Sequence, residues 1–328
     1  MQRRALIQSL PGLALASAFP ATGRAQQAFP AKPVRLVVPY PPGGSVDPVA
    51  RLLGQKLGDI WGQQVVVDNK PGASTIIGTD AVAKAPADGY TLLLTSSTHV
   101  SNSLLFAKLP YDNFKDFAPV STLYRAEFVL VVNPALGVNT LAELTALARA
   151  RPGQISYASA GPGNVNHMAA ELYNMMVGTK MLHVPYKGAA PLLTDLLSNQ
   201  VQMYFSVPVA VLDHIQNGKL KALAITSDKR LPLLANVPTF AEAGLTGFGV
   251  GNWSWMGVWA PANTPAAIVD KVSQDIAKVL AMPDVKQRLE SQGQTPLATT
   301  PQQMSALMKS NLAEFSNVIK AANIKIDQ

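Results

Sequence analysis

The chain has 328 residues, 48% hydrophobic and 14% charged, with a formal net charge of +7 and no cysteine. That composition excludes a disordered chain, disulfide scaffolds, thiol catalysis and thiolate metal sites. The charge excess is mild once Arg3, Arg4 and Arg24 are set apart as part of a leader, and no Lys/Arg cluster interleaved with aromatics appears, so nucleic acid is not an expected partner. Met1 to Ala25 opens on Arg3-Arg4, runs through an apolar stretch around Leu13 to Phe19 and closes on Gly23-Arg24-Ala25, which reads as an export signal cleaved after Ala25. The apolar run is too short for a membrane anchor. The remaining roughly 300 residues exceed what one core usually serves, so two domains are expected.

Beyond the leader, short apolar runs alternate with helical patterns: Val34 to Val38, Val49 to Leu57, Val65 to Val67, Thr75 to Ala83, Leu92 to Leu94, Val129 to Val132, Leu141 to Ala150, Ile155 to Tyr157, His167 to Val177 and Leu182 to Pro185. This alternation predicts an α/β fold of mostly parallel sheets flanked by helices. The rhythm restarts at Gly188, with a helix through Leu197 and strands at Val201 to Phe205 and Leu223 to Thr226. Two terminal helices, Pro265 to Leu280 and Pro301 to Ile319, follow Thr264 and Thr300 as N-caps. Glu127 to Asn133 and Trp253 to Pro261 read as crossings between two lobes. Lobe 1 is then discontinuous, residues 26–127 plus 252–328, and lobe 2 is the insert 128–251.

The loops that follow strands hold the candidate chemistry, because ligands in open α/β sheets sit beyond the carboxyl ends of the strands. Tyr40-Pro41-Pro42-Gly43-Gly44-Ser45-Val46-Asp47-Pro48 joins a strand to a helix through paired glycines, where backbone N–H groups at a positive helix end suit an anion. Asp47 before Pro48 reads as a helix cap. Ser159-Ala160-Gly161-Pro162-Gly163-Asn164 repeats the design, and only superficially resembles a dinucleotide fingerprint, since Asn166 holds the third glycine position. Asn69 to Ser74, Thr95-Ser96-Ser97 and Tyr186 to Ala190 occupy equivalent loops. His167 reads either as a ligand contact or as a side chain holding its loop through a backbone bond. Phe205 and the cluster Trp253, Trp255 and Trp259 offer rings for a ligand's carbon skeleton, with core packing the competing role.

No Gly-x-Ser-x-Gly elbow is present, and His99, His167, His183 and His214 show no metal-ligand spacing, so neither a catalytic arrangement nor a metal site assembles. A serine-dependent hydrolase stays open as a competing class, for which turnover abolished by Ser96→Ala or Ser159→Ala would be the signature. A ligand sensor serving a signalling partner is the other.

Five ordered motifs, Val37 to Asp47, Asn69 to Ala73, Ser159-x-Gly161-x-Gly163-x-x-x-His167, Pro185 to Gly188 and Trp255-x-Gly257-x-x-Ala260-Pro261, resemble the Bug family over nearly the whole mature chain. These are periplasmic solute-binding proteins of tripartite tricarboxylate transporters. The resemblance implies a two-lobed periplasmic-binding-protein fold of type II kind, with two crossing strands at the hinge, closing on a small organic acid whose carboxylate is held by backbone amides and ordered water. It further implies membrane transporter subunits as partner and no catalysis or cofactor; a monomer without a metal site is expected. Carried over position by position, ligand contacts fall at Tyr40, Gly43, Gly44, Asp47, Gly72, Ala73, Thr95 and Ser96 in lobe 1. In lobe 2 they fall at Ser159, Gly161, Gly163, Asn164, His167, Tyr186 and Gly188; Phe205 is a further candidate from its place at a strand end. Asn164 stands where the family often has Ser or Thr, and Asn263 where it often has Gly.

Overall fold

A computed structural model describes residues 29–43, 46–186 and 188–324. The leader, Gly44 and Lys187 lie outside the described residues. Chain order begins with strands β1 (Val34–Val38), β2 (Val65–Asn69), β3 (Thr91–Ser96) and β4 (Phe117–Ala126), continues through β5 (Val129–Val132), β6 (Ser156–Ser159), β7 (Leu182–Pro185), β8 (Met203–Ser206) and β9 (Lys221–Ile225), and returns with β10 (Trp255–Pro261) and β11 (Gln294–Pro296). They form two sheets, β11-β4-β10-β3-β1-β2 and β7-β6-β8-β5-β9.

Each sheet is mixed rather than mostly parallel. In the first, β1 pairs in parallel with β2 and β3, while β10 runs antiparallel to β3 and β4. In the second, β6 is parallel to β7 and β8, and β5 is antiparallel to β8 and β9. The antiparallel members β4, β5 and β10 are the strands next to the chain's passages between sheets. Alternation of strand and helix does not encode their direction.

Helices α1 (Asp47–Trp61), α2 (Ile76–Ala83), α3 (Thr98–Leu105), α4 (Leu141–Ala150), α5 (Val165–Val177), α6 (Ala189–Leu197) and α7 (Pro208–Gln216) follow strands or turns, and α8 (Ala266–Ala281), α9 (Pro283–Glu290) and α10 (Pro301–Ala321) close the chain. Helix α10 starts at a full capping box: Thr300 Oγ1 accepts from Gln303 N, Gln303 Oε1 accepts from Thr300 N, and Pro301 takes the position where its missing N–H costs nothing. Thr264 does not cap α8; its hydroxyl donates to Pro261 O at 2.7 Å, and Pro265 stands before the helix.

The crossings are shorter than the sequence pattern indicates. The outward one is Glu127-Phe128, between β4 and β5, and Trp255 to Pro261 is a central strand of the first sheet. Glu127 is fully buried, accepts from Thr226 Oγ1 at 3.0 Å and lies 2.8 Å from Arg125 Nε. Trp253, Trp255 and Trp259 are all buried, so packing claims the three rings. Trp255 stacks on Trp259 at 5.6 Å and donates its indole N–H to Asn311 Oδ1 of α10 at 2.7 Å. One apolar core runs through Trp255, Trp259, Met304 and Phe315 into Leu130 and Phe205 of the second sheet, joining the two halves beneath the cleft.

Candidate functional site

A cleft of about 760 Å³ lies between the two sheets' loop ends, walled by Tyr40 and Pro71 to Thr75 from one side and by Ala160 to Asn166 from the other. Of the sequence-predicted residues, Tyr40, Gly72, Ala73, Ser96, Gly161, Gly163 and Asn164 line it. No Lys or Arg lines it among the described residues. The described lining offers an anion main-chain N–H groups, hydroxyls and side-chain amides.

On the first side, the Tyr40 hydroxyl donates to Ser96 Oγ at 2.8 Å, accepts from Ser96 N at 3.2 Å, and lies 3.2 Å from Thr95 Oγ1. Thr95 is buried, so it fixes Tyr40 from behind instead of reaching the cleft. The turn before α2 has an unusual backbone: Ala73, Ser74 and Thr75 all take positive φ, at 45°, 51° and 77°. Such a run in residues other than glycine is rare, and for a β-branched residue it is an outlier of the kind that clusters at binding sites. Asn102 of α3 clamps it, donating to Ser74 O at 2.9 Å. The exposed Ala73 and Ser74 keep their main-chain N–H groups free of main-chain partners among the described residues. Successive amides in such a run form an anion-binding concavity.

The elbow containing Gly43 behaves differently from the sequence expectation. Asp47 does not cap α1; its Oδ2 accepts from Gly43 N at 3.1 Å and from Arg51 Nε at 2.9 Å, and its Oδ1 accepts from Asn69 Nδ2 at 3.1 Å. Arg51, Gly43 and Asn69 together hold its carboxyl below the usual range against the opposing effect of burial. Asp47 thus spends the Gly43 amide internally, and neither residue lines the cleft.

The second elbow is also bonded within itself. Gly163 N donates to His167 Nδ1 at 3.0 Å, Gly161 N to Ser159 Oγ at 3.2 Å, Ala160 N to Asn166 Oδ1 at 3.3 Å and Asn164 N to Gly161 O at 3.3 Å. Asn164 caps α5 by accepting from Asn166 N. Ser159 and His167 therefore act from beneath the cleft, as loop fasteners. The His167 ring stacks on His183 at 3.8 Å, and His183 Nε2 contacts Ser159 Oγ at 2.6 Å. In that Ser–His contact Ser159 is buried, and among the described residues no carboxylate bonds to the His183 ring. Burial, and for His167 also the neighbouring His183, pushes the imidazoles down to about 3 for His167 and about 4 for His183.

Three further residues stand outside the cleft. Phe205 is fully buried, stacked on Phe240 and Phe248, because alternation along β8 turns its neighbour Tyr204 to the cleft instead. Tyr186 directs its hydroxyl to Asp195 Oδ2 at 2.8 Å, and its own N–H goes to Ser159 O. Gly188, at φ 128°, starts α6, whose Ala189 reaches the cleft. Sequence reading missed Tyr204, Asn102, Ser254 and Met256, and placed Ser74 in a candidate loop without marking it as a contact. Period-2 alternation on β8 and β10 was the signal available for Tyr204 and Met256.

The two halves touch across the cleft. A Cβ at Gly163, whose φ is 72°, would lie 2.2 Å from Leu105 Cδ1 at the end of α3, and one at Gly293 would lie 3.3 Å from Pro208 Cγ at the start of α7. A Cβ at either glycine would require its neighbour from the other half to shift.

Comparison with known proteins places this geometry among relatives. The family model described as tripartite tricarboxylate transporter family receptor matches residues 49–324. The UPF0065 protein in the tcbD-tcbE intergenic region of Pseudomonas sp. (strain P51) is 39% identical over 322 residues, covering 97% of this chain and 95% of its own length. Protein BugT of Bordetella pertussis is 38% identical over 318 residues, covering 96% and 97%. Among solved structures, Rpa4515 of R. palustris with adipate superposes with a TM-score of 0.81 at 36% identity, covering 90% of this chain and 99% of that one. MatC (Rpa3494) from Rhodopseudomonas palustris with bound malate gives 0.76 at 32% identity, covering 89% and 100%.

Folded His167 and His183 stay neutral at pH 6, whereas their unfolded counterparts bind protons with a pKa of about 6.5, so the unfolded state holds more protons and stability falls as pH drops below that value. Thermal unfolding should show a melting temperature that declines from pH 7 to pH 5, with a smaller decline in His167→Gln; equal slopes in both proteins would refute the assignment. Gly163→Ala should cost on the order of 1 kcal/mol in urea unfolding from its positive φ and its collision with Leu105. Adding Leu105→Ala should recover the steric share, and an unchanged midpoint in the single variant would show that the contact is slack.

Proposed function

The chain belongs to the tripartite tricarboxylate transporter receptor family, and from that premise we propose that it captures one small organic carboxylate between its two halves and presents the closed form to the membrane subunits of such a transporter. The observation that carries this reading is the cleft itself: about 760 Å³, walled by loops from both sheets, with amides and hydroxyls but no cationic side chain among the described residues. Ala73 and Ser74 amides and the Ser96 hydroxyl are the donors best placed for the carboxylate. Tyr40, Gly72, Gly161, Gly163 and Asn164 shape its seat. The adipate and malate held by the two solved relatives support an acid as the ligand class.

In this reading lobe 1 comprises residues 26–127 and 252–328 and lobe 2 residues 128–251, turning about Glu127-Phe128 and the segment before Trp255. Ligand held between them favours the closed arrangement, which gives a membrane partner something to distinguish. The protein works by binding, without turnover or cofactor, as a periplasmic monomer freed from its leader after Ala25. N-terminal sequencing of the exported protein should begin at Gln26; a sequence starting at Met1 would contradict the leader.

Thermal denaturation of the mature chain against a panel of mono-, di- and tricarboxylates tests the receptor reading. An acid at about one hundred times its dissociation constant should stabilise by roughly 2.7 kcal/mol. No shift with any acid, together with no acid co-purifying in native mass spectrometry, would overturn it.

A further inference from the structure

One face of helix α3 meets both sides of the cleft. Thr98, Asn102 and Leu105 stand at helical spacing, so they share a face, and all three line the cleft. Asn102 is buried, and its Nδ2 donates to Ser74 O at 2.9 Å and to Thr75 Oγ1 at 3.4 Å. Leu105, one turn further on, meets Gly163 of the second elbow, where a Cβ would stand 2.2 Å from Leu105 Cδ1 and 3.1 Å from its Cγ. Resting on the receptor reading above, we propose that Asn102 and Leu105 are a positioning pair for acid capture. Asn102 keeps the turn from Ala73 to Thr75 in the form that presents its amides, and Leu105 is the seat that Gly163 meets when the halves close.

The helix is a fixed body within the first half. At its start Ser97 N donates to Trp255 O at 3.0 Å and Thr98 N to Ser96 Oγ at 3.2 Å. His99 sets its ring 4.8 Å from those of Phe117 and Trp259, and its Nε2 lies 3.0 Å from Asn113 O. Val100 is buried in the core that runs beneath the cleft. Both contacts are made from one face of this body, so the gap between the amide turn and the second elbow is set by a helix and not by a loop.

Asn102 is needed because the turn does not hold itself. Ala73, Ser74 and Thr75, at φ of 45°, 51° and 77°, occupy a region that residues other than glycine keep only when their surroundings retain them. Among the described residues no other side chain bonds to Ser74 or Thr75. With Ser74 O released, the run returns to negative φ and its amides lose their aim on the cleft. Gly163 is the matching requirement on the far side, since the absence of a Cβ lets the elbow come against Leu105.

The role of Asn102 is testable without ligand. The crystal structure of Asn102→Leu, which keeps the side chain's bulk and removes its donor, should show Ser74 or Thr75 at negative φ with α3 unmoved; Asn102→Ala serves in its place if the leucine variant does not fold. All three residues still left-handed would overturn that role. Isothermal titration of the mature chain with propanoate, benzoate, malate, adipate and citrate gives the binding test. We expect loss of the Asn102 donor to weaken every acid that binds the unmodified chain by a shared factor of about ten, because each presents the same carboxylate to the same turn. Weakening confined to some of those acids would refute a role at the carboxylate. Gly163→Ala should weaken the same acids roughly fivefold, and adding Leu105→Ala should restore them, with the acid-induced fall in radius of gyration in solution scattering lost and regained in step. The positive φ at position 163 is common to open and closed forms and cancels from affinity, so this readout isolates the contact. Unchanged affinity in Gly163→Ala, or a double variant no better than the single, would overturn the role of Leu105 while leaving the receptor reading intact. Failure of all five acids to bind the unmodified chain would instead count against the receptor reading and remove this inference with it.

Discussion

The cleft rests on one buried indole. Trp255 sits on β10 in the middle of the first sheet, stacks on Trp259, donates its indole N–H to Asn311 of α10 and accepts from Ser97 N at its carbonyl at 3.0 Å. Through that set of contacts the end of β3, which carries Ser96, is tied to the helix that packs beneath the halves. A buried indole N–H left without its acceptor would forfeit on the order of 1–3 kcal/mol, so Asn311 and Trp255 stand or fall together. Ser96 and Ser97, at the end of β3, inherit their position from this pairing.

Above that floor, most of the loops that face the cleft are already satisfied within themselves. Asp47, Ser159, Asn166 and His167 each accept an N–H from a glycine-bearing elbow. The physical consequence is a division of labour. Some side chains hold the loops in shape from behind, and a few amides, at Ala73 and Ser74, stay available in front. Rigid loops with few open donors suit a receptor, because each donor is placed before the ligand arrives.

Much of this architecture was legible from residue pattern. The ranges Val129 to Val132, Leu141 to Ala150 and Leu182 to Pro185 coincide with β5, α4 and β7, since apolar periodicity reports burial directly. The strand-to-helix glycine elbows were legible too, because positive φ at Gly43, Gly161 and Gly163 narrows the choice of residue. What stayed hidden depends on direction and competition. Tyr204 and Phe205 are adjacent in sequence, and a shift of one residue exchanges the cleft face for the core face. Asp47 has the composition of a cap, yet Arg51 and Asn69, four and twenty-two positions away, draw its carboxylate back over the elbow. The strands β4 and β10 were obscured for a similar reason: their antiparallel course follows from where the chain enters and leaves each sheet.

The three successive left-handed residues before α2 carry an implication of their own. Glycine would adopt those angles at less cost, and Ala73, Ser74 and Thr75 occupy them nonetheless. Side chains at such positions narrow the conformers open to the turn, so it is stiff before any acid arrives and gives up little freedom when one does. The strain carried by the unliganded turn is thereby exchanged for pre-organisation, and discrimination among acids is left to whatever lies beyond the carboxylate.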